Sequence, residues 1–134
     1  NKSLKELVLL KKSININNTW NKKMFYSKAL FRKMLQYLSK NKNEVSLYII
    51  GNKSVQYHVG IINKVVDFSS WLNVLDPNFN IHVKEKNISS NITYYYNNES
   101  CHLHFFNNYN NFLCGFSFDN NILDIENVIN QLIK

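Results

Sequence analysis

The residues best equipped for chemistry in this 134-residue chain are four histidines and two cysteines. His102 and His104 stand two apart in "SCHLHFF". On a strand, that spacing puts both imidazoles on one face, where they could reach a metal from the same side. No third ligand of suitable spacing follows them in the sequence. His58 and His82 each lie on the polar side of an alternating run, "SVQYHVGII" and "FNIHVKE". Faces that show imidazoles, with Lys84 close by in sequence, suit a planar anionic ligand containing a metal. Cys101 and Cys114 could supply a thiolate nucleophile, but no base or orienting group is specified for either. Gly-rich phosphate loops, CxxC, HExxH and GxSxG are all absent. With three glycines in the chain, nucleotide-cradling loops are excluded.

The elements that must position these groups can be read from periodicity. "SLKELVLLKK" (3–12) predicts a short helix capped by Ser3, and the polar "SININNTWNKK" after it predicts a connection. "SKALFRKMLQYLSK" (27–40) predicts the strongest helix, capped by Ser27, with Leu30, Phe31, Met34, Leu35 and Leu38 on one face. Period two then takes over. "EVSLYIIG" and "SVQYHVGII" predict a hairpin, with Gln56 and His58 on one face of the second strand and Val55, Tyr57, Val59 and Ile61 on the other. "KVVDF" follows, then Trp71, a turn at Asp76-Pro77-Asn78, and a strand at 79–85. "NISSNITYYY" extends as strand. "SCHLHFF" and "NFLCGFSF" predict a late hairpin around the Asn-rich loop 107–111. Pairing Phe106 with Phe112 sets Cys101 opposite Ser117 and Cys114 opposite His104, so the cysteines are not expected to form a bridge. A terminal helix carries Ile125, Ile129, Leu132 and Ile133 as its apolar stripe. Helices, a run of strands, then a helix predict an α+β fold, an antiparallel sheet flanked by helices.

Length predicts one domain over 1–134 with a modest core. The net charge of +7 is compatible with acidic ligands, anionic membrane or nucleic acid. The lysines, however, are spread along the chain without interleaved aromatics or a nucleic-acid motif, so no nucleic-acid partner is expected and that reading rests on charge alone. The longest N-terminal apolar run, "LVLL", is too short for a bilayer span, and no transmembrane segment is expected. Six glycosylation triplets and repeated Asn doublets follow from an Asn-rich composition. Two cysteines make no disulfide framework.

"LYIIGNKSVQYHVG", "WLNVLDPNFNIHVKE" and the preceding "KALFRKMLQYL" together resemble the bacterial haemin-degrading or haemin-transport family, the HemS/ChuX type. Gly51, Asn52, Gln56, His58, Gly60, Trp71 to Pro77, Phe79, Asn80, His82 and Glu85 stand at matching positions, with Lys84 at a position where the family has Arg. The resemblance covers roughly 27–118 and is most specific over 71–85, where it depends on Trp, Pro, Phe and His. It implies an antiparallel sheet flanked by helices, present as two tandem repeats in larger members. This chain is similar to the later repeat, which implies one repeat of a longer protein and, as partner, a second repeat or a homodimer partner. It also implies haem as the ligand, taken up in the cytoplasm for iron acquisition and then passed on or degraded oxidatively. His58 and His82 are then the expected imidazole contacts, Lys84 the propionate partner and Trp71 part of the scaffold. The axial histidine of larger members falls at Leu4 here, and the family's Arg-Lys-Pro-Thr stretch is replaced by "NITYYYNNES". The axial ligand and any catalytic residue are left unassigned. The alternative is a non-catalytic interaction domain that keeps the fold without the haem chemistry.

Overall fold

The computed structural model describes residues 19–50, 55–68, 71–76, 79–119 and 124–134. The helix expected over 3–12 and the turn residues Gly51, Asn52, Pro77 and Asn78 lie outside them.

β1 (Asn21–Tyr26) is followed by α1 (Leu30–Lys40), then β2 (Glu44–Ile50), β3 (Val55–Ile61), β4 (Val65–Phe68), β5 (Trp71–Asp76) and β6 (Phe79–Lys84). A single 3₁₀ turn, Glu85–Asn87, leads into β7 (Ile88–Tyr96), β8 (Ser100–Asn107), β9 (Phe112–Asp119) and α2 (Ile125–Ile133). Six strands form one sheet in the order β1-β7-β8-β9-β2-β3, and β4-β5-β6 form a second. Every pairing is antiparallel. The fold is α+β, as expected from the element order.

α1 packs its apolar stripe on the large sheet. Phe31 meets Phe105 at 5.2 Å and Phe116 at 5.8 Å between ring centroids, and Leu30, Met34, Leu35 and Leu38 are fully buried beside it. Each such side chain contributes about 1.5–3 kcal/mol on removal from water. The small sheet adds Leu72, Val74, Ile81 and Val83 to the same core. Asp124 caps α2 by accepting from the Asn127 amide at 3.2 Å. At the other end of α2, the Lys33 ammonium donates to the Leu132 carbonyl at 2.9 Å, where a cation complements the helix dipole.

Three sequence expectations are corrected. Ser27 does not cap α1: its amide donates to the Ser90 carbonyl at 2.8 Å, prolonging the β1–β7 contact, and Ala29 is the N-cap. The polar stretch read as a connection ends in a strand, because "NKKMFY" pairs along its length with β7 and buries only Phe25. The β8–β9 register changes by one residue between Phe105 and Phe106. Phe106 does pair with Phe112, but Leu113 is extra, so Cys114 faces Phe105 and Cys101 faces Phe118. Both cysteines are free, as expected, and both are buried.

Candidate functional site

The outer surface of the β5–β6 hairpin holds two of the three expected contact residues. Ile81 and Val83 are buried in the core, so His82 and Lys84 fall on the opposite face of β6 by alternation. Register places Asn73 of β5 directly opposite His82, and Trp71 opposite Lys84. The Asn73 amide oxygen accepts a hydrogen bond from His82 Nδ1. That bond fixes the tautomer with its proton on Nδ1 and leaves the Nε2 lone pair for a ligand. Asn73 is itself buried, so it acts as a fixed arm.

The far end of β6 is tied to α1. Arg32 Nε meets Glu85 Oε2 at 2.8 Å, and the Arg32 terminal nitrogen meets Oε1 at 2.5 Å. This is a two-pronged guanidinium–carboxylate pair. It holds the residue after Lys84 against the helix and so sets the height of the His82–Lys84 face.

His58 is carried by a different sheet. It lies on the edge strand β3 opposite Leu47, at the end of the row Lys23, Tyr94, Leu103, Phe116 and Leu47 that faces the helices. Its Nε2 hydrogen-bonds the Ile61 carbonyl at 3.0 Å. Gly60, close by at φ +132°, takes a conformation that L side chains rarely adopt.

A third group, only half visible in the sequence, lies on the face of the large sheet turned away from the helices. Register lines up Met24, Thr93, His104, Gly115, Tyr48 and Tyr57 across all six strands. The next row runs Lys22, Tyr95, His102, Ser117, Ser46 and Val59. Tyr48 Oη lies 3.2 Å from His102 Nδ1 and 2.9 Å from His104 Nε2. Burial, reinforced by His102, pulls the His104 imidazole down to about 3, so it is neutral at physiological pH. The HxH spacing predicted a shared face, but nothing in the sequence pointed to Tyr48 as the phenol between the two rings. Thr93 and Tyr95 also line a pocket of about 380 Å³ with Lys22, Met24, Tyr26 and Phe106.

The sequence profile of the haemin-degrading HemS.ChuX domain matches residues 21–107, from β1 through β8. The chain belongs to this HemS/ChuX family. No curated protein matches it. Among solved structures, the heme degrading enzyme ChuS of Escherichia coli O157:H7 is similar at TM-score 0.59 and 20% identity, covering 87% of this chain and 38% of ChuS. Holo-PhuS, a heme-binding protein from Pseudomonas aeruginosa, is similar at TM-score 0.64 and 16% identity, covering 87% of this chain and 36% of PhuS. ChuX is similar at TM-score 0.65 and 11% identity, covering 94% of this chain and 89% of ChuX. The chain thus spans well under half of ChuS and PhuS but most of ChuX. The HemS/ChuX match includes His58, His82, Lys84 and the Arg32–Glu85 pair, and ends before Gly115. Among the described residues, no helix is long and apolar enough to cross a membrane.

Proposed function

We propose that the chain binds and handles haem, using the outer face of the β5–β6 hairpin. Within a HemS/ChuX domain, the observation that carries this reading is the Asn73–His82 hydrogen bond. An imidazole whose Nδ1 proton is held by a buried amide would offer its Nε2 lone pair to the haem iron. Lys84 follows two residues later on the same face, roughly 7 Å along the strand, where its ammonium pairs with a propionate. His58 is the second imidazole contact in this reading, reached from the edge of the large sheet. The bound group supplies iron; the chain supplies ligation, orientation and charge pairing, for delivery or oxidative degradation of imported haem in the cytoplasm. A second repeat or a homodimer partner completes the site in this reading.

Haemin titration followed at the Soret band tests the assignment. The parent chain gives a saturable red shift. His82→Ala loses the shift at low haemin, and Lys84→Ala weakens binding about fivefold, as expected for a solvent-screened ion pair. A His58→Ala/His82→Ala double variant with the parental spectrum and affinity would refute the site. Incubating the complex with a reductant and O₂ separates the two fates, since degradation bleaches the Soret band and delivery leaves it intact.

A further inference from the structure

We propose that Tyr48, His102 and His104 form a binding site for a single divalent first-row transition-metal ion, distinct from the haem face and independent of the haem reading. Among the described residues, no cluster of three or more His, Cys, Asp or Glu side chains is placed to hold a metal. The third donor here is a phenol, which such a cluster does not contain.

The geometry is that of a preformed donor set. Oη of Tyr48 stands 3.2 Å and 2.9 Å from one nitrogen of each imidazole. Donors about 2.0–2.1 Å from a metal sit roughly 2.9–3.4 Å from one another along the edges of an octahedron or tetrahedron, so small side-chain shifts suffice to admit an ion. Two imidazoles and one oxygen suit zinc, copper, nickel or iron, with copper(II) bound most tightly.

The fold supplies the third ligand through one residue. Tyr48 is on β2 and the histidines are on β8, with β9 between them. Register puts Gly115 of β9 between Tyr48 and His104. A Cβ at Gly115 would fall 2.6 Å from Cε2, Cζ and Oη of Tyr48, so the phenol lies flat across β9 only because no side chain is there. Tyr57 and Phe112 stack on the Tyr48 ring at 6.0 Å and 5.9 Å between centroids and hold it in place.

Metal binding asks only for a rearrangement of protons that the hydrogen-bonded cluster already shares. A phenol has one proton to donate, so one imidazole receives it while the other presents its own N–H to the Tyr48 oxygen. On binding, that second ring shifts its proton to the other nitrogen, Tyr48 releases its proton to solvent, and a phenolate–metal bond forms with two imidazole bonds. The pocket lined by Lys22, Met24, Thr93 and Tyr95 lies beside the site, the Tyr95 ring standing 5.2 Å from that of His104. Trp20, 5.1 Å from His102, closes the other side.

The test titrates the tag-free full chain, without haem, with copper(II) and then cobalt(II), followed by visible absorption and electron paramagnetic resonance. The expected result is one tight equivalent, a phenolate-to-copper charge-transfer band, and hyperfine structure from two nitrogens. Tyr48→Phe abolishes the band and weakens binding at least tenfold; His102→Gln and His104→Gln each do the same. His58→Ala/His82→Ala leaves band and stoichiometry unchanged, and Tyr48→Phe leaves the haemin titration unchanged. The parent protein alone can overturn the proposal, by binding no stoichiometric metal or by showing four equivalent nitrogens and no charge-transfer band. An unaltered spectrum in folded Tyr48→Phe would also overturn it.

Discussion

Replacing Gly115 with alanine probes the large sheet most directly. The added methyl carbon would lie 2.6 Å from three Tyr48 atoms, where carbon atoms normally approach to about 3.5–4.0 Å. Relief requires a shift of about 1 Å in a ring that is 1% exposed and stacked on Tyr57 and Phe112. Overpacking of this kind costs about 1–3 kcal/mol. Displacing the hydroxyl also removes the partner of two imidazole nitrogens, and a buried polar group left unpaired costs about 1–3 kcal/mol. The two effects overlap, because one movement causes both. The expected loss is therefore about 2–4 kcal/mol, a fall in Tm on the order of 10 °C for a chain of this size. Urea denaturation of the parent, Gly115→Ala, Tyr48→Leu and the double variant measures it. Leucine lacks the reach to cover β9, so Gly115→Ala in the Tyr48→Leu background costs at least 1 kcal/mol less than in the parent. A Gly115→Ala cost below about 0.5 kcal/mol, or the same cost in both backgrounds, would refute the argument that the phenol needs this glycine.

Burial raises Cys101 to about 12 and pushes Cys114 well above the usual thiol range. The unfolded chain loses these protons from about pH 9 and the folded chain retains them, so stability is constant below pH 9 and falls above it, by at most about 1.4 kcal/mol per pH unit for each thiol. Urea midpoints at pH 8 and pH 10 check this, and a maleimide reagent at pH 8 labels both thiols only as the protein unfolds. Glu85→Gln breaks the forked pair with Arg32, whose side chains are each 25% exposed, and costs about 1–2 kcal/mol after allowance for solvent screening. That cost shrinks in 1 M salt if the attraction is ionic, and denaturation at two ionic strengths measures it. Gly60→Ala meets only His58 Nε2, at an ordinary contact distance of 4.0 Å, but must hold φ +132°, so it costs about 1–3 kcal/mol through backbone strain, read as a lower urea midpoint with unchanged slope.

Amphipathic periodicity revealed α1 and α2, and period two revealed β2, β3, β6, β8 and β9, whereas β5 over Trp71–Asp76 was not read as a strand. β1 escaped detection too. Its residues other than Phe25 are exposed, so it carries almost no burial pattern, and only pairing with β7 makes it a strand. The bulge at Leu113 was equally hidden, since a one-residue insertion changes no local pattern yet moves every cross-strand partner from Cys114 onward. Asn107 shows what composition conceals. In an Asn-rich chain it looked like background, yet its side-chain oxygen accepts from the amides of Tyr109 and Asn111 at 2.9 and 3.0 Å and shapes the turn between β8 and β9. The proposed contacts His82 and Lys84 rest on the resemblance over 71–85, whereas the Asn73–His82 contact needed the β5–β6 register.

The Tyr48 cluster shows why a site can be spread beyond reach of sequence spacing. β9 sends Cys114, Phe116 and Phe118 towards the helices, and Gly115 and Ser117 to the other face. Large residues on one side close the core, while the small ones on the other leave a trough one strand wide. Tyr48 of β2 leans into that trough and reaches β8, which explains how a residue on the face away from the helices is as buried as the core itself. The alternation of size along β9 is visible in "NFLCGFSF", but its consequence is not. Sequence shows that something must fill the space above Gly115. Only the strand order β8-β9-β2 shows that the filler carries a hydroxyl and that it lies between two imidazoles, donating to one and accepting from the other.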